Sequence, residues 1–400
     1  MNILFLTLVE IDSVEERGIY QDLLRKFRDE GHSVTVVTPV QRRRGIATNL
    51  KRTEGVAILQ VRTLNIQKTN IIEKGIGTLA IEYQYLRAVR NFLPDSKFDL
   101  VLYSTPPITL VKVISYIKRR DNAFAYLLLK DIFPQNAVDM KMMKRKGILH
   151  RQFVKKEKKL YRLSDAIGCM SPANRQFIIQ NNPELNPLKI EVNPNTIEPR
   201  YPSFSASEKQ RIRSKYGLPQ DRRIFIYGGN LGLPQGLDFM LDTIQALQHS
   251  RAFFLVVGSG TEYERIAQWF TSVQPTNAKL LSALPKEDYD VLLASCDIGL
   301  IFLDKKFKIP NFPSRLLSYL EMQMPVIAAT DPNTDIGDII QANNCGYKVL
   351  AGNLTGMANA IEKLVSEDLE TYKEPCRELL EKDYHVTRSY ELIIKRMNHV

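Results

Sequence analysis

Residues 308–331, KIPNFPSRLLSYLEMQMPVIAATD, decide the reading of this chain. Pro310 and Pro313 stiffen an approach loop. Ser314 offers a hydroxyl that can accept from a free backbone N–H of a first helical turn, so it is expected to cap a helix. Leu316, Leu317, Leu320 and Met324 recur at helical spacing and give one apolar face. Pro325 ends that helix, and residues 326–329 read as a buried strand of a parallel sheet. A helix start carries unpaired N–H groups and suits phosphate, and Arg315 beside it can add a bidentate contact to the same anion. An ordinary αβ unit without a ligand would show the same pattern, so the rest of the chain has to decide.

Working outward, the βαβ rhythm fills both halves. In the first half strands are expected at 2–9, 33–38, 56–62, 100–104, 123–129 and 166–170. They alternate with helices at 18–30, 76–93, 109–118 and 172–180. The rhythm breaks at 193–204, NPNTIEPRYPSF, where Pro194, Pro199 and Pro202 mark a stiff linker. It resumes with strands at 224–227, 253–257, 278–281 and 298–302 and helices at 237–246, 263–270 and 286–295, before the opening stretch. Residues 335–342 and 357–364 also read as helical. Four hundred residues exceed one core, which agrees with two domains. The expected boundaries are a first domain at 1–195, a linker at 196–204 and a second domain at 205–384, with a last helix at about 385–400 packing back on the first. The expected fold class is α/β, with two doubly wound parallel-sheet, Rossmann-like domains facing across a cleft. Ligands bind at the carboxyl ends of such strands. There the Gly-rich turns at 228–236 and 258–260 and the start at Ser314 would line one wall.

Charge narrows the partners. Residues 1–200 hold 33 Lys+Arg against 20 Asp+Glu, and residues 201–400 hold 22 against 24, so +13 and −2 make up the net +11. Acidic partners are therefore expected at the first half. Between Lys141 and Arg162 stand ten basic residues and one acid, Glu157, interleaved with Met142, Met143, Phe153, Leu160 and Tyr161. A solvated helix face is the plain reading of a charge run. An amphipathic segment on anionic lipid fits this density better. Nucleic acid is the rival, and no DNA- or RNA-binding motif accompanies the run, so no nucleic-acid partner is expected. The four cysteines lack metal-ligand or pairing spacing and read as reduced thiols, and no metal site is expected. No apolar run reaches the length of a membrane span, and the opening MNILFLTLV reads as a strand, not a signal peptide. The expected location is cytoplasmic, peripheral on the inner face of the cytoplasmic membrane.

Several short segments, in order, resemble the GT-B glycosyltransferases of glycosyltransferase family 4. They are Gly31-His32 with VTVVT at 34–38, STPPIT at 104–109, DIFP at 131–134, Pro194-Asn195, YGGNLGLPQG at 227–236, VGSG at 257–260 and the 313–329 stretch. Nearly the whole chain is covered. The likeness is strongest to enzymes of bacterial capsule and O-antigen assembly, including N-acetyl-L-fucosamine transferases. The resemblance implies metal-free transfer of a sugar, such as an N-acetylated deoxyhexose, from a UDP-sugar substrate, with no cofactor. The acceptor it implies is a polyprenyl-diphosphate-linked saccharide bound to the first domain. It implies a diphosphate held by Ser314, Arg315 and Leu316, with Gly229, Asn230 and Gln235 opposite and Gly18 closing over it. Gly258, Gly260 and Leu284 would sit near the nucleoside, and Lys308, Phe312 and Ser318 complete the implied donor set.

This chain departs from the family pattern. The family's two glutamates, eight positions apart, are here Pro310 and Ser318, and its two usual lysines are Gln235 and Arg315. Neutralisation of phosphate then falls on Arg315, Lys305, Lys306 and Lys308. Loss of the first glutamate puts retaining chemistry in question. An inverting reaction needs a base, for which Asp131, Asp12, Glu15 and Glu16 are the candidates, Asp131 first because it follows a buried strand. A UDP-sugar epimerase or hydrolase on the same fold, or an inactive UDP- or lipid-binding partner, are the alternatives.

Overall fold

A computed structural model describes residues 1–65, 71–106, 108–139, 143–144 and 146–398. Of the residues singled out above, Pro107, Lys141, Met142 and Arg145 lie outside these. The chain divides into two units, Met1–Glu198 with His385–Val400, and Pro199–Tyr384.

Unit 1 holds eight strands: β1 (Asn2–Leu6), β2 (Ser33–Gln41), β3 (Asn49–Thr53), β4 (Val56–Thr63), β5 (Leu100–Ser104), β6 (Phe124–Leu129), β7 (Ala166–Cys169) and β8 (Ile190–Val192). Their order is β3-β4-β2-β1-β5-β6-β7-β8, parallel except for the antiparallel β3–β4 edge. Ile3, Phe5, Leu100, Leu102, Tyr126 and Leu128 bury one face under the helix Ile19–Asp29, through Leu23, Leu24 and Phe27. The helix Val386–Asn398 completes this core with Val386 and Ile393, and Tyr390 Oη meets His32 Nε2 at 3.1 Å. Each such side chain contributes about 1.5–3 kcal/mol on burial.

Unit 2 holds β9 (Arg223–Asn230), β10 (Ala252–Ser259), β11 (Ala278–Ser282), β12 (Ile298–Phe302), β13 (Val326–Thr330) and β14 (Gly346–Leu350), ordered β11-β10-β9-β12-β13-β14 and all parallel. Phe225, Tyr227, Phe254, Leu300 and Phe302 pack against Leu237, Met240, Leu241 and Ile244 of the helix Leu237–Ala246. Met357, Ile361 and Leu364 of the helix Leu354–Ser366 join the same core. Both sheets are doubly wound, as the sequence pattern predicts. The strand order reverses at β1/β5 in unit 1 and at β9/β12 in unit 2, the crevices where ligands of such sheets bind.

Three strands escape the sequence reading. β3 is a polar edge strand, NLKRT, without the alternation of a half-buried strand; β8 has three residues; β14 is a short run opening on Gly346. All four cysteines are buried and unbridged. No helix of the described residues is long and apolar enough to cross a membrane.

Candidate functional site

The carboxyl ends of β9 and β10 and the loop after β12 converge in unit 2. Gly228 leaves room for the Tyr289 hydroxyl, since a Cβ there would lie 1.9 Å from Tyr289 Oη. Gly229 adopts φ +124°, a backbone setting that side chains disfavour, and the Arg315 Nη2 lies 3.7 Å from where its Cβ would be. Gly258 and Gly260 have a different reason from the one expected. A Cβ at Gly258 would stand 1.9 Å from the Gly229 carbonyl oxygen, and one at Gly260 would stand 2.2 Å from that of Leu231. Their bareness lets the two turns touch.

Arg315 is the centre of this cluster. Its guanidinium stacks 4.2 Å from the Tyr227 ring centroid, and Nη2 donates to Gln235 Oε1 at 2.7 Å. Tyr227 Oη donates to the Asn230 carbonyl at 2.8 Å and also reaches Gln235 Oε1 at 3.2 Å. Arg315 Nη1 is buried and has no hydrogen-bond partner. No carboxylate of the described residues neutralises the group. A stacked, desolvated guanidinium with an unspent N–H edge is a receptor for an oxyanion, where each charge-assisted bond is worth about twice a neutral one.

Ser314 does not cap the helix. Its φ and ψ are −66° and −13°, already helical, and its side chain makes no capping bond. An N-cap needs an extended backbone. Here the first turn is closed instead by Leu316 N on the Pro313 carbonyl at 3.3 Å. The helix Arg315–Glu321 spans seven residues. Its approach loop is tied down from behind: Asn311 N donates to Thr334 Oγ1 at 3.1 Å, and Thr334 Oγ1 donates to buried Asp331 at 2.8 Å.

The other donor candidates scatter around this centre. Leu316 is fully buried and Phe312 nearly so, stacked obliquely on Tyr384 at 6.0 Å, so both serve the core. Asn230, Ser314 and Lys308 are exposed, and Ser318 and Leu284 are half-buried. Lys305 and Lys306 line a polar depression of about 570 Å³ with Asp238, Asp242 and Asp304, which supplies them with acidic neighbours. Gly18 belongs to unit 1, where it precedes the helix Ile19–Asp29.

In unit 1 the four candidate bases separate. Asp12 accepts from Gln60 Nε2 at 2.7 Å and pairs with Arg44 at 3.1 Å. Glu15 pairs with Arg28 at 2.5 Å. The Glu16 side chain is exposed, and its carbonyl accepts from Arg25 Nη1 at 2.9 Å. Asp131 lies elsewhere, just past β6. The crowding around it raises its carboxyl pKa although part of the group meets solvent. The structure therefore gives Asp12 and Glu15 structural partners, and the raised pKa of Asp131 suits a base. Beside it Tyr20 is pushed up to about 12 by burial, with the Asp131 charge adding to the rise. Lys130 was not singled out from sequence. Burial brings its amine down to about 7. The available signal was a lysine ending an unbroken apolar strand, FAYLLL.

In the helix Ile148–Leu163 of the basic segment, three of the apolar residues face inward. Phe153 packs edge-on to Phe133 at 5.1 Å, and Leu160 and Tyr161 are buried in unit 1. They are not available for insertion into lipid, contrary to the amphipathic reading. Arg151, Lys155, Lys159 and Arg162 form one exposed stripe of the helix Ile148–Leu163, with Ile148 exposed at its start. Lys158 pairs with Glu184 at 2.9 Å and Lys156 reaches Glu82 at 3.5 Å. No group of three or more potential metal-ligating residues occurs among the described residues.

Comparison with known proteins agrees with this geometry. Residues 208–380 match the family model described as Glycosyl transferases group 1. WbjE of Pseudomonas aeruginosa, provisionally described as a glycosyltransferase, is 24% identical over 328 residues, 79% of this chain and 78% of its own. WcaI of Escherichia coli (strain K12), provisionally described as a colanic acid biosynthesis glycosyl transferase, is 23% identical over 145 residues, 36% of this chain and 35% of its own. Among solved structures, Anabaena Alr3699/HepE in complex with UDP and glucose superposes with a TM-score of 0.72 at 14% identity, covering 100% of both chains. The two doubly wound units are thus those of the GT-B fold. The chain is a glycosyltransferase, and its residues 208–380 are the part that matches group 1.

Proposed function

We propose that this glycosyltransferase moves a sugar from a UDP-sugar held on unit 2 to a polyprenyl-diphosphate-linked saccharide received by unit 1. The setting is the assembly of a bacterial capsule or related surface polysaccharide. The donor sugar is an N-acetylated deoxyhexose of the L-FucNAc type, and no metal is required. The observation that carries the reading is Arg315: a buried guanidinium without a carboxylate, beside a glycine-lined turn, is built for a diphosphate that arrives with its own negative charge. HepE, of the same fold, binds UDP at low sequence identity, and WcaI is named for polysaccharide assembly; both support the reading. In this scheme Arg315 takes charge that develops on the leaving UDP. Asp131 accepts the proton of the acceptor hydroxyl, for which a raised pKa suits it. The exposed basic stripe holds the protein at an anionic leaflet, where the lipid-linked acceptor resides. Mass spectrometry of products from a panel of UDP-sugars, with a short-chain prenyl-diphosphate saccharide as acceptor, tests the proposal. A product extended by one sugar is expected. Free sugar or epimerised donor with no extended product would refute transfer to this acceptor class.

A further inference from the structure

Against the helix Ile148–Leu163 lies a depression of about 420 Å³, lined mainly by basic side chains. Arg151, Lys155, Lys158 and Arg162 come from the helix, and Lys146 comes from the turn before it. His150 and Val154 complete the wall. His150, Val154, Lys158 and Arg162 stand four residues apart and so form one row along the helix, with Arg151 and Lys155 beside it. Lys146 has φ +63°, and Gly147 N donates to the Lys144 carbonyl at 3.1 Å, which makes a tight turn at the helix start. Lys159 is exposed on the same helix but does not line the depression.

The charge here is unbalanced. Among the described residues no acid lines the depression. Glu184 reaches one end of it, 2.9 Å from Lys158 and 3.9 Å from Arg162. Glu157 of the same helix is taken up by Tyr161, whose Oη donates to it at 2.9 Å. Lys146, Arg151 and Lys155 have no ion-pair partner among the described residues. Like charges around a concave wall repel one another, and an anion that meets several at once relieves the repulsion. Singly charged headgroups meet such side chains one at a time. A group with two or more charges on neighbouring oxygens meets several together. Arginine fits phosphate oxygens bidentately and lysine meets them as a point charge, so this mixture suits a phosphate cluster. Half-buried Val154 gives the carbons next to the phosphate an apolar place to rest.

We propose that this depression is a discrete receptor for a multiply charged phosphate group, a diphosphate or a phosphomonoester. The inference deepens the leaflet attachment proposed above and rests on it only for the source of the group, a lipid headgroup and not a diphosphate free in solution. Its distinctive consequence is that the position of each basic residue matters, and not only their number.

The test is calorimetric titration of the full chain, saturated with UDP so that the donor site is filled, with inorganic diphosphate. One saturable site is expected in the parent. Arg151→Gln with Lys155→Gln, both in the wall, should weaken diphosphate binding about tenfold or more. Arg119→Gln with Lys159→Gln removes one arginine and one lysine from exposed positions outside the wall. That pair should change diphosphate binding by less than about twofold. UDP affinity should stay at the parental value in both. No saturable binding by the parent, or equal losses in the two pairs, overturns the receptor and leaves a diffuse attachment to the leaflet standing. Vesicles identify the source of the group. Stronger retention on phosphatidic acid than on phosphatidylglycerol at matched surface charge, reversed by inorganic diphosphate, assigns it to a lipid headgroup. Saturable diphosphate binding by a parent that neither vesicle retains assigns it to a soluble diphosphate and overturns the leaflet reading alone.

Discussion

At the scale of the residue, Arg315 shows what a motif can and cannot disclose. Its place beside a helix start is legible in the stretch that opens the reading. Its partners are not, since Gln235 lies 80 residues earlier in the chain and Tyr227 earlier still, and they meet it only through the sheet. Removing the guanidinium should cost UDP binding on the order of 1.5–3 kcal/mol, about ten- to a hundredfold in affinity. Calorimetry on Arg315→Ala checks this, and an unchanged affinity in a folded variant would remove Arg315 from the donor site. Asp131 makes a second prediction. Asp131→Asn should lower kcat by about 10²–10⁴ with UDP affinity nearly unchanged, as loss of a general base does. A base works ionised, and the crowding around this carboxyl raises its folded-state pKa. Activity of the parent should therefore fall as pH drops through that raised value, at a higher pH than an ordinary aspartate would give. Near wild-type turnover by the variant would make Asp131 a structural residue. Lys130 was invisible for the converse reason: a lysine after a strand looks like any surface lysine, and its burial is a tertiary property.

At the scale of the element, legibility followed how much each segment declares by itself. β5 and β12 appear at the residues expected, because LVLYS and IGLIF are apolar runs bounded by turns. The helix Leu237–Ala246 does so because its apolar positions keep a helical period against a glycine start. β3, β8 and β14 did not, since pairing with a neighbour supplies what their own composition lacks. The glycine turns fall between. Their glycines mark the site, but the reason for Gly258 is the Gly229 carbonyl, an approach of backbone to backbone that no spacing announces. A methyl group at Gly258 has a backbone oxygen in its path and no flexible side chain to push aside. Gly258→Ala should therefore destabilise the protein by about 1–3 kcal/mol, as overpacking does. It should also displace the 229–231 turn and weaken UDP binding. Denaturant unfolding with parallel UDP titration measures both, and parental stability would mean that the two turns are not in contact.

At the scale of the whole molecule, the charge of the chain is sorted along it. Residues 1–200 carry +13 and residues 201–400 carry −2. The first part includes the helix Ile148–Leu163 with its stripe of Arg151, Lys155, Lys159 and Arg162. Phe153, Leu160 and Tyr161 are packed inside unit 1, so among the described residues attachment to a membrane would rest on charge, with Ile148, 83% exposed, as an apolar addition. Each basic side chain near an anionic leaflet is worth about 1 kcal/mol, and that attraction fades within a Debye length of about 10 Å at 0.1 M salt. Two consequences follow together. Binding to anionic vesicles should be reversed by raising the salt several-fold, whereas an inserted apolar face would persist. Replacing the four stripe residues with Gln should release the protein at physiological salt and spare UDP affinity. The same variant should slow transfer to long-chain lipid acceptors more than to short soluble ones. Lys156 and Lys158 belong outside the substitution, because Glu82 and Glu184 already hold them. Vesicle co-sedimentation across a salt series decides it: equal binding by variant and parent would make the stripe a solvated face, and salt-resistant binding would put an apolar contact in its place.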